Sequence, residues 1–132
     1  MTGPQVVAIV NTNPDLVELL KARIEAAGFI VLILHVADIR TGLDIETTLK
    51  EHDPRVIVYD VVPPYDRSWR FLEHLRSGTS FAGRQFVITS PNVAQLRKLV
   101  SMDETIYEIV GGTDIDGIVQ AVREASRARP TR

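Results

Sequence analysis

Four polar residues lie at or near the ends of apolar segments in this sequence: Asn11, Thr12, Asp60 and Thr89. A carboxylate inside an apolar segment is costly unless it is solvated, paired or bound to a metal. Asp60, within RVIVYDVV, is therefore the first candidate for chemistry, either as a nucleophile or metal ligand or as a group that satisfies local backbone. Taken singly, Thr89 is typical of a strand, and Asn11 is typical of an amide that satisfies turn backbone.

The segments that would position these residues are predicted strands and helices that alternate along the chain. Apolar runs rich in Val and Ile are typical of strands that are covered on both faces. They are VVAIV (6–10), FIVLILHV (29–36), RVIVYDVV (55–62), QFVITS (85–90) and ETIYEIV (104–110). Between and after them, apolar residues at helical spacing predict helices over 14–27, 44–51, 68–76, 93–100 and 115–122.

Several helix starts carry capping signals. Asn13 and Ser90 each stand at or just after the end of a predicted strand and precede a proline, so both are predicted N-caps with proline at the first helical position. Thr113 and Asp116 have the spacing of a capping box.

Strands that alternate with helices predict an α/β protein with a parallel sheet covered by helices on both faces. We expect the flavodoxin-like order 2-1-3-4-5, with five strands and five helices. In this topology a ligand crevice lies beyond the carboxyl ends of the strands, at the switch between the first and third strands. The polar residues named above would meet there, together with Val110 or Gly111 from the fifth strand.

Length and composition narrow the function classes. The 132 residues fit a single domain, in which 125–132 would be a frayed basic tail. Net charge is −2, which gives no reason to expect a nucleic-acid or membrane surface. The absence of cysteine excludes disulfides, thiolate metal sites and cysteine catalysis. Without a visible signal peptide or an apolar run of about 20 residues, we expect a cytoplasmic protein.

Familiar catalytic and nucleotide-binding motifs are missing. GTSFAGR at 78–84 has the glycine spacing of a P-loop but lacks the following Lys-Ser/Thr, and it precedes a strand. No GxGxxG follows the first strand and no GxSxG elbow occurs. The histidines lie in different predicted elements without ligand spacing. We therefore do not expect an enzyme.

Taken together, the strand-end motifs resemble the receiver domain of two-component response regulators over nearly the whole chain. IVNTNPDLVELLKARIEAAGFIV resembles the first strand and helix of that family, HDPRVIVYDVVPPYD its third strand, FVITS its fourth and YEIV its fifth. The resemblance implies that Asp60 is the phospho-acceptor position, with Pro64 four residues later. It also implies that Thr89 is the hydroxyl residue and Tyr107 the switch aromatic.

The sequence departs from the family at two places. The two adjacent acids that end the family's first strand fall on Asn11 and Thr12. The family's lysine falls on Val110 if Tyr107 fixes the register, or on Gly111 if the last helix does. Because Mg²⁺ is usually bound through carboxylates, we expect no cofactor, or weak Mg²⁺ at most. Since an asparagine NH₂ and a threonine OH can donate hydrogen bonds, we also expect Asn11 and Thr12 to bond Asp60 directly.

Three functions follow. The first is a receiver-like signalling module that acts by protein–protein contact, with phosphorylation at Asp60 impaired. Its partner would be a histidine kinase or an output protein, or a second copy of the chain. The contact face would comprise the fourth helix, fifth strand and fifth helix, including Tyr107 and arginines 123, 127 and 129. The second is a working phospho-receiver that uses Asp60. The third is a small-ligand binder on a flavodoxin-like fold.

Overall fold

The computed structural model describes residues 4–35, 45–78, 81, 83–100 and 106–127. Within them, strands and helices alternate along the chain. The strands are β1 (Val6–Val10), β2 (Ile30–Leu34), β3 (Val56–Asp60), β4 (Gln85–Ser90) and β5 (Ile106–Gly111). The helices are α1 (Pro14–Ala26), α2 (Ile45–His52), α3 (Tyr65–Arg76), α4 (Val93–Arg97) and α5 (Ile115–Arg127).

The strands form one parallel sheet in the order β2-β1-β3-β4-β5, which confirms the predicted flavodoxin-like topology. The predicted ends of β1 and β4 are confirmed to the residue. β2 and β3 are shorter than their apolar runs, because residues 29, 35, 55, 61 and 62 lie outside the strands. Residues 36, 104 and 105 of the predicted runs lie outside the described part of the chain.

Helices cover both faces of the sheet. Alternate residues of a strand point to opposite faces, so Ile57 and Tyr59 pack with α2, α3 and α4, whereas Val56 and Val58 pack with α1 and α5. Leu72 of α3 is fully buried on the first face. This two-sided burial explains why the strands read as nearly continuous apolar runs.

The capping residues of two helices differ from the prediction, although both helices begin at the predicted residues. α4 begins at Val93 with Asn92 as its N-cap, because the Asn92 side chain accepts from the backbone N–H of Gln95 at 3.0 Å. Ser90 instead remains in β4, where its hydroxyl accepts the Asn92 N–H at 3.1 Å. The cap of α5 comes from Asp114, whose carboxylate accepts the Gly117 N–H at 3.1 Å. The predicted roles of Ser90 as N-cap and of Thr113 with Asp116 as capping box are therefore wrong.

Other helix boundaries shift as well. α3 begins at Tyr65, three residues before the predicted start, because Tyr65 and Trp69 continue its buried face. α5 extends through Arg127 with Ala125 fully buried, so the predicted frayed tail does not begin at 125. The rest of that tail, 128–132, and the predicted helix start at Asp44 lie outside the described residues.

Candidate functional site

A cleft lies at the carboxyl ends of β1, β3, β4 and β5. It has a volume of about 390 Å³ and includes polar groups from all four strand ends. Its lining residues are Asn11, Thr12, Asn13, Leu16, Asp60, Val62, Ser90, Pro91, Val93, Gly111, Gly112 and Thr113. A smaller neighbouring depression of about 210 Å³ shares Asn11, Thr12, Asp60 and Val62 with it. The sequence located this crevice correctly, but it did not indicate the apolar walls.

Asp60 lines the cleft, and Thr89 contacts it from behind without lining the cleft itself. They are partners in the β3–β4 register, so their side chains lie next to one another at the sheet edge. The Thr89 hydroxyl donates to Asp60 Oδ1 at 2.6 Å, a length typical of an O–H donor on an ionised carboxylate. Thr89 is only 1% exposed, so its hydroxyl is shielded from competing water.

The environment of Asp60 disfavours its charged form. Burial raises the pKa of the Asp60 carboxyl above its ordinary value of 3.8, and the hydrogen bond from Thr89 offsets part of this rise. Such a net rise is expected for a half-buried carboxyl whose desolvation outweighs its hydrogen bonding. Among the described residues that line the cleft, Asp60 is the ionisable one.

Asn11 and Thr12 do not hydrogen-bond Asp60, contrary to the expectation from the sequence. The Asn11 side-chain oxygen accepts the backbone N–H of Asn13 at 2.8 Å, which turns the amide toward its own loop. Asn13 in turn caps α1 by accepting the N–H groups of Asp15 and Leu16. The local turn thus determines the orientation of Asn11, as the plainer interpretation of this amide predicted. Thr12 is exposed at the rim.

The two candidates for the lysine position, Val110 and Gly111, lie in different environments. Val110 pairs with Thr89 in the sheet, but its side chain packs in the core against the α1 and α5 side and does not line the cleft. Gly111 pairs with Ser90 and does line the cleft. Neither residue brings an amine.

Gly112 is a part of the site that the sequence analysis missed. Its N–H donates to the carbonyl of Ser90 at 2.9 Å, which joins the end of β5 to β4. A Cβ at this position would lie 3.7 Å from Asp60 Oδ1 and 3.6 Å from the Ser90 carbonyl. These are ordinary contact distances, so a Cβ would fit here, and the GG pair at the end of an apolar strand was the available signal for a turn at this point.

The oxygen donors at this edge are a poor match to Mg²⁺. This ion requires near-octahedral oxygen ligation and is usually held through one or two carboxylates. In the described cleft, Asp60 is a single carboxylate with one oxygen engaged by Thr89, and the Asn11 oxygen is engaged by backbone. No group of three or more His, Asp or Glu side chains suited to a metal occurs among the described residues.

The predicted contact face is described only in part. Tyr107 belongs to β5, but its side chain lies outside the described part of the structure, as does Arg129. Arg123 and Arg127 are exposed on α5. Leu99, just after α4, is 47% exposed, which is high for a large apolar side chain.

Comparisons with known proteins give similarity at the level of structure. No family model and no curated protein matches this chain. Among solved structures, a sensor protein from Polaromonas sp. JS666 matches with a TM-score of 0.70 and 17% identity, over 92% of this chain and 95% of that one. A CheY-like receiver domain of a response regulator from Methylobacillus flagellatus matches with a TM-score of 0.67 and 14% identity, over 93% and 99%. A CheY-like response regulator from Mesorhizobium loti matches with a TM-score of 0.66 and 18% identity, over 92% and 98%.

These matches cover nearly the full length of both chains, and the strand order agrees with theirs. The chain therefore has the CheY-like, flavodoxin-like fold of receiver domains. Within the described ranges, none of the helices has the length and apolar character that crossing a membrane requires.

Proposed function

We propose that this chain is a receiver-like module of two-component signalling that acts by contact with other proteins. In this proposal, metal-dependent phosphorylation at Asp60 is impaired. The fold and the order of the strand-end motifs support the signalling role. The surroundings of Asp60 support the impairment, because this carboxylate has a hydroxyl donor beside it but neither a second acid nor an amine among the described lining residues.

The chemical argument starts from the metal. Phosphoryl transfer to an aspartate uses a divalent ion to bring the carboxylate and the phosphoryl oxygens together and to neutralise their charges. With a single carboxylate in the described cleft, affinity for Mg²⁺ would be low. Without an amine, a phosphoryl group on Asp60 would also lack a positive partner for its developing charge.

The protein-contact role draws on the face formed by α4, β5 and α5. Leu99 combines apolar area with exposure there, and Arg123 and Arg127 add exposed guanidinium groups on α5. Exposed apolar side chains together with arginines are common in protein interfaces. A histidine kinase, an output protein and a second copy of this chain are the partner types that we propose for this face.

A working phospho-receiver is the second candidate. The observation in its favour is that Asp60 lines an open cleft and that its Oδ2 accepts no hydrogen bond in the described part of the structure. One oxygen of the Asp60 carboxylate is therefore free to act as a nucleophile, while the other accepts the hydrogen bond from the Thr89 hydroxyl. Slow phosphorylation would need no rearrangement of Thr89.

Beryllofluoride, a mimic of the phosphoryl group, separates the two candidates. We expect the ¹H–¹⁵N NMR spectrum of the wild type to remain unchanged when beryllofluoride and millimolar Mg²⁺ are added. Saturable shifts of the Asp60, Thr89 and Gly112 amides that vanish in Asp60→Asn would overturn the proposal of impaired phosphorylation. The variant Asn11→Asp/Thr12→Asp is the positive control, since it restores both acids and a carboxylate at the first position can still accept the Asn13 N–H.

A further inference from the structure

The carboxylate of Asp60 has no cationic partner in the described structure. The ion pairs found there join other residues, such as Arg84 with Asp53 and Arg76 with Glu73. Lys98 lies five residues after Val93 of the cleft in the sequence, but it lines a different surface depression together with Asn92 and Leu99. Burying a charge without a partner is costly, so a half-buried carboxylate with one oxygen free would gain from a cation.

The free atoms of the cleft define what would fit. Asp60 Oδ2 is an available acceptor, while Oδ1 is held by Thr89. The Asn11 oxygen is engaged by the Asn13 N–H, so it is not a free acceptor for a ligand. The floor thus combines one negative acceptor with neutral groups, and it is unsuited both to anions and to multivalent metals.

Apolar side chains form the walls around this floor. Leu16 and Val93 are partly buried on either side, and Val62 is 37% exposed at the rim. An opening of about 390 Å³ with such walls suits a short aliphatic stem, which would pack against them and leave its head group at the floor.

We propose that this cleft binds the ammonium or guanidinium group of an aliphatic amine or basic side chain, with the cation on Asp60 Oδ2 and the stem against Leu16, Val62 and Val93. The inference rests on the proposed function, because Mg²⁺ at the same carboxylate would compete with the organic cation. Burial raises the pKa of Asp60, and no nearby positive charge offsets that rise among the described residues. Two sources share this chemistry: a free amine, or a lysine or arginine of a partner protein.

Matched probes test the charge requirement. n-Butylguanidinium and n-butylurea have nearly the same shape but differ by one charge, and binding of both is followed by ¹H–¹⁵N NMR titration at pH 7.5. We expect the cation to shift the Asn11, Asp60, Gly111 and Gly112 amides with at least tenfold higher affinity than the urea. Asp60→Asn should remove this preference. Equal affinities for the two probes, or an unchanged preference in Asp60→Asn, would overturn the proposal.

A control variant and a second ligand pair complete the experiment. Asp53→Asn makes the same charge change at the opposite end of the sheet, next to Arg84, and should leave the titration unchanged. A short peptide with a central arginine, compared with its citrulline counterpart, identifies the source of the cation. Tighter binding of the arginine peptide than of n-butylguanidinium supports a basic side chain of a partner, and the reverse supports a free amine. The beryllofluoride experiment tests the proposed function separately, since its outcome does not depend on the amine.

Discussion

The hydrogen bond from Thr89 to Asp60 makes a measurable prediction about stability. Thr89→Val replaces the hydroxyl by a methyl group of similar size at a position that is 1% exposed, so packing changes little. The substitution leaves the Asp60 carboxylate half-buried without this donor. Hydrogen bonds to charged groups contribute about 1.5–3 kcal/mol. Because Asp60 is partly solvated, we expect a loss near the lower end, about 1–2 kcal/mol at pH 7.

Urea unfolding of four proteins isolates this interaction: the wild type, Thr89→Val, Asp60→Ala and the double variant. In the Asp60→Ala background, Thr89→Val should change the free energy of unfolding by less than about 0.5 kcal/mol, since the acceptor is gone. The coupling energy should then be about 1–2 kcal/mol. Thermal unfolding should show the single Thr89→Val change as a fall in Tm of about 3–8 °C for a domain of this size.

A coupling energy below about 0.5 kcal/mol would refute this reasoning. It would mean that water or another side chain replaces the hydroxyl at no cost, and that Thr89 does not hold the carboxylate. A large loss that is equal in both backgrounds would also contradict it, because the effect would then come from packing around Thr89 and not from Asp60.

Three further changes have defined outcomes. Because the pKa of Asp60 is raised in the folded state, the folded protein binds the proton more tightly than the unfolded chain, and this carboxyl lowers stability as pH rises above 3.8. Asp60→Asn should therefore gain stability relative to the wild type as pH rises through the folded-state pKa, with a constant difference above it. Asn13→Ala removes the cap of α1 and should cost about 0.5–2 kcal/mol in urea unfolding. Leu72→Ala opens a cavity under α3 and should cost about 2–5 kcal/mol.

Each of these changes has a contradicting result. A stability difference between Asp60→Asn and the wild type that stays flat from pH 4 to 8 would show that Asp60 titrates alike in both states. An unchanged urea midpoint for Asn13→Ala would mean that water caps α1 equally well. Asn92→Ala, which removes the exposed cap of α4, is the matched comparison. A cost below about 1 kcal/mol for Leu72→Ala would mean that the core collapses onto the site.

The sheet could be predicted from the sequence because its burial on both faces leaves a direct signal. VVAIV and QFVITS coincide with β1 and β4, since their residues are almost all buried. The capping residues at the helix starts were predicted less accurately. Ser90 and Asn92 are both good capping residues beside Pro91, and the end of β4 decides between them by keeping Ser90 in the sheet.

The position of the cleft could be predicted from the sequence, but the hydrogen bonds within it could not. Alternation of strands and helices was enough to bring Asn11, Asp60 and Thr89 to one edge. Whether Asn11 or Thr89 contacts Asp60 depends on the direction of each side chain. The turn at Asn13 orients the Asn11 side chain toward its own backbone. Gly112 was overlooked because glycine has no side chain to suggest a role, although its backbone N–H bonds the Ser90 carbonyl and the residue lines the cleft.

The most direct test of the central claim measures Mg²⁺-dependent labelling of Asp60 by a small phosphodonor. Wild type, Asp60→Asn and Asn11→Asp/Thr12→Asp are incubated with acetyl phosphate, with and without Mg²⁺, and the mass of each intact protein is followed over time. We expect no Mg²⁺-dependent mass increase in the wild type or Asp60→Asn, and a recovered, Mg²⁺-dependent increase in the variant with both acids restored. Rapid Mg²⁺-dependent labelling of the wild type that is absent from Asp60→Asn would contradict the account.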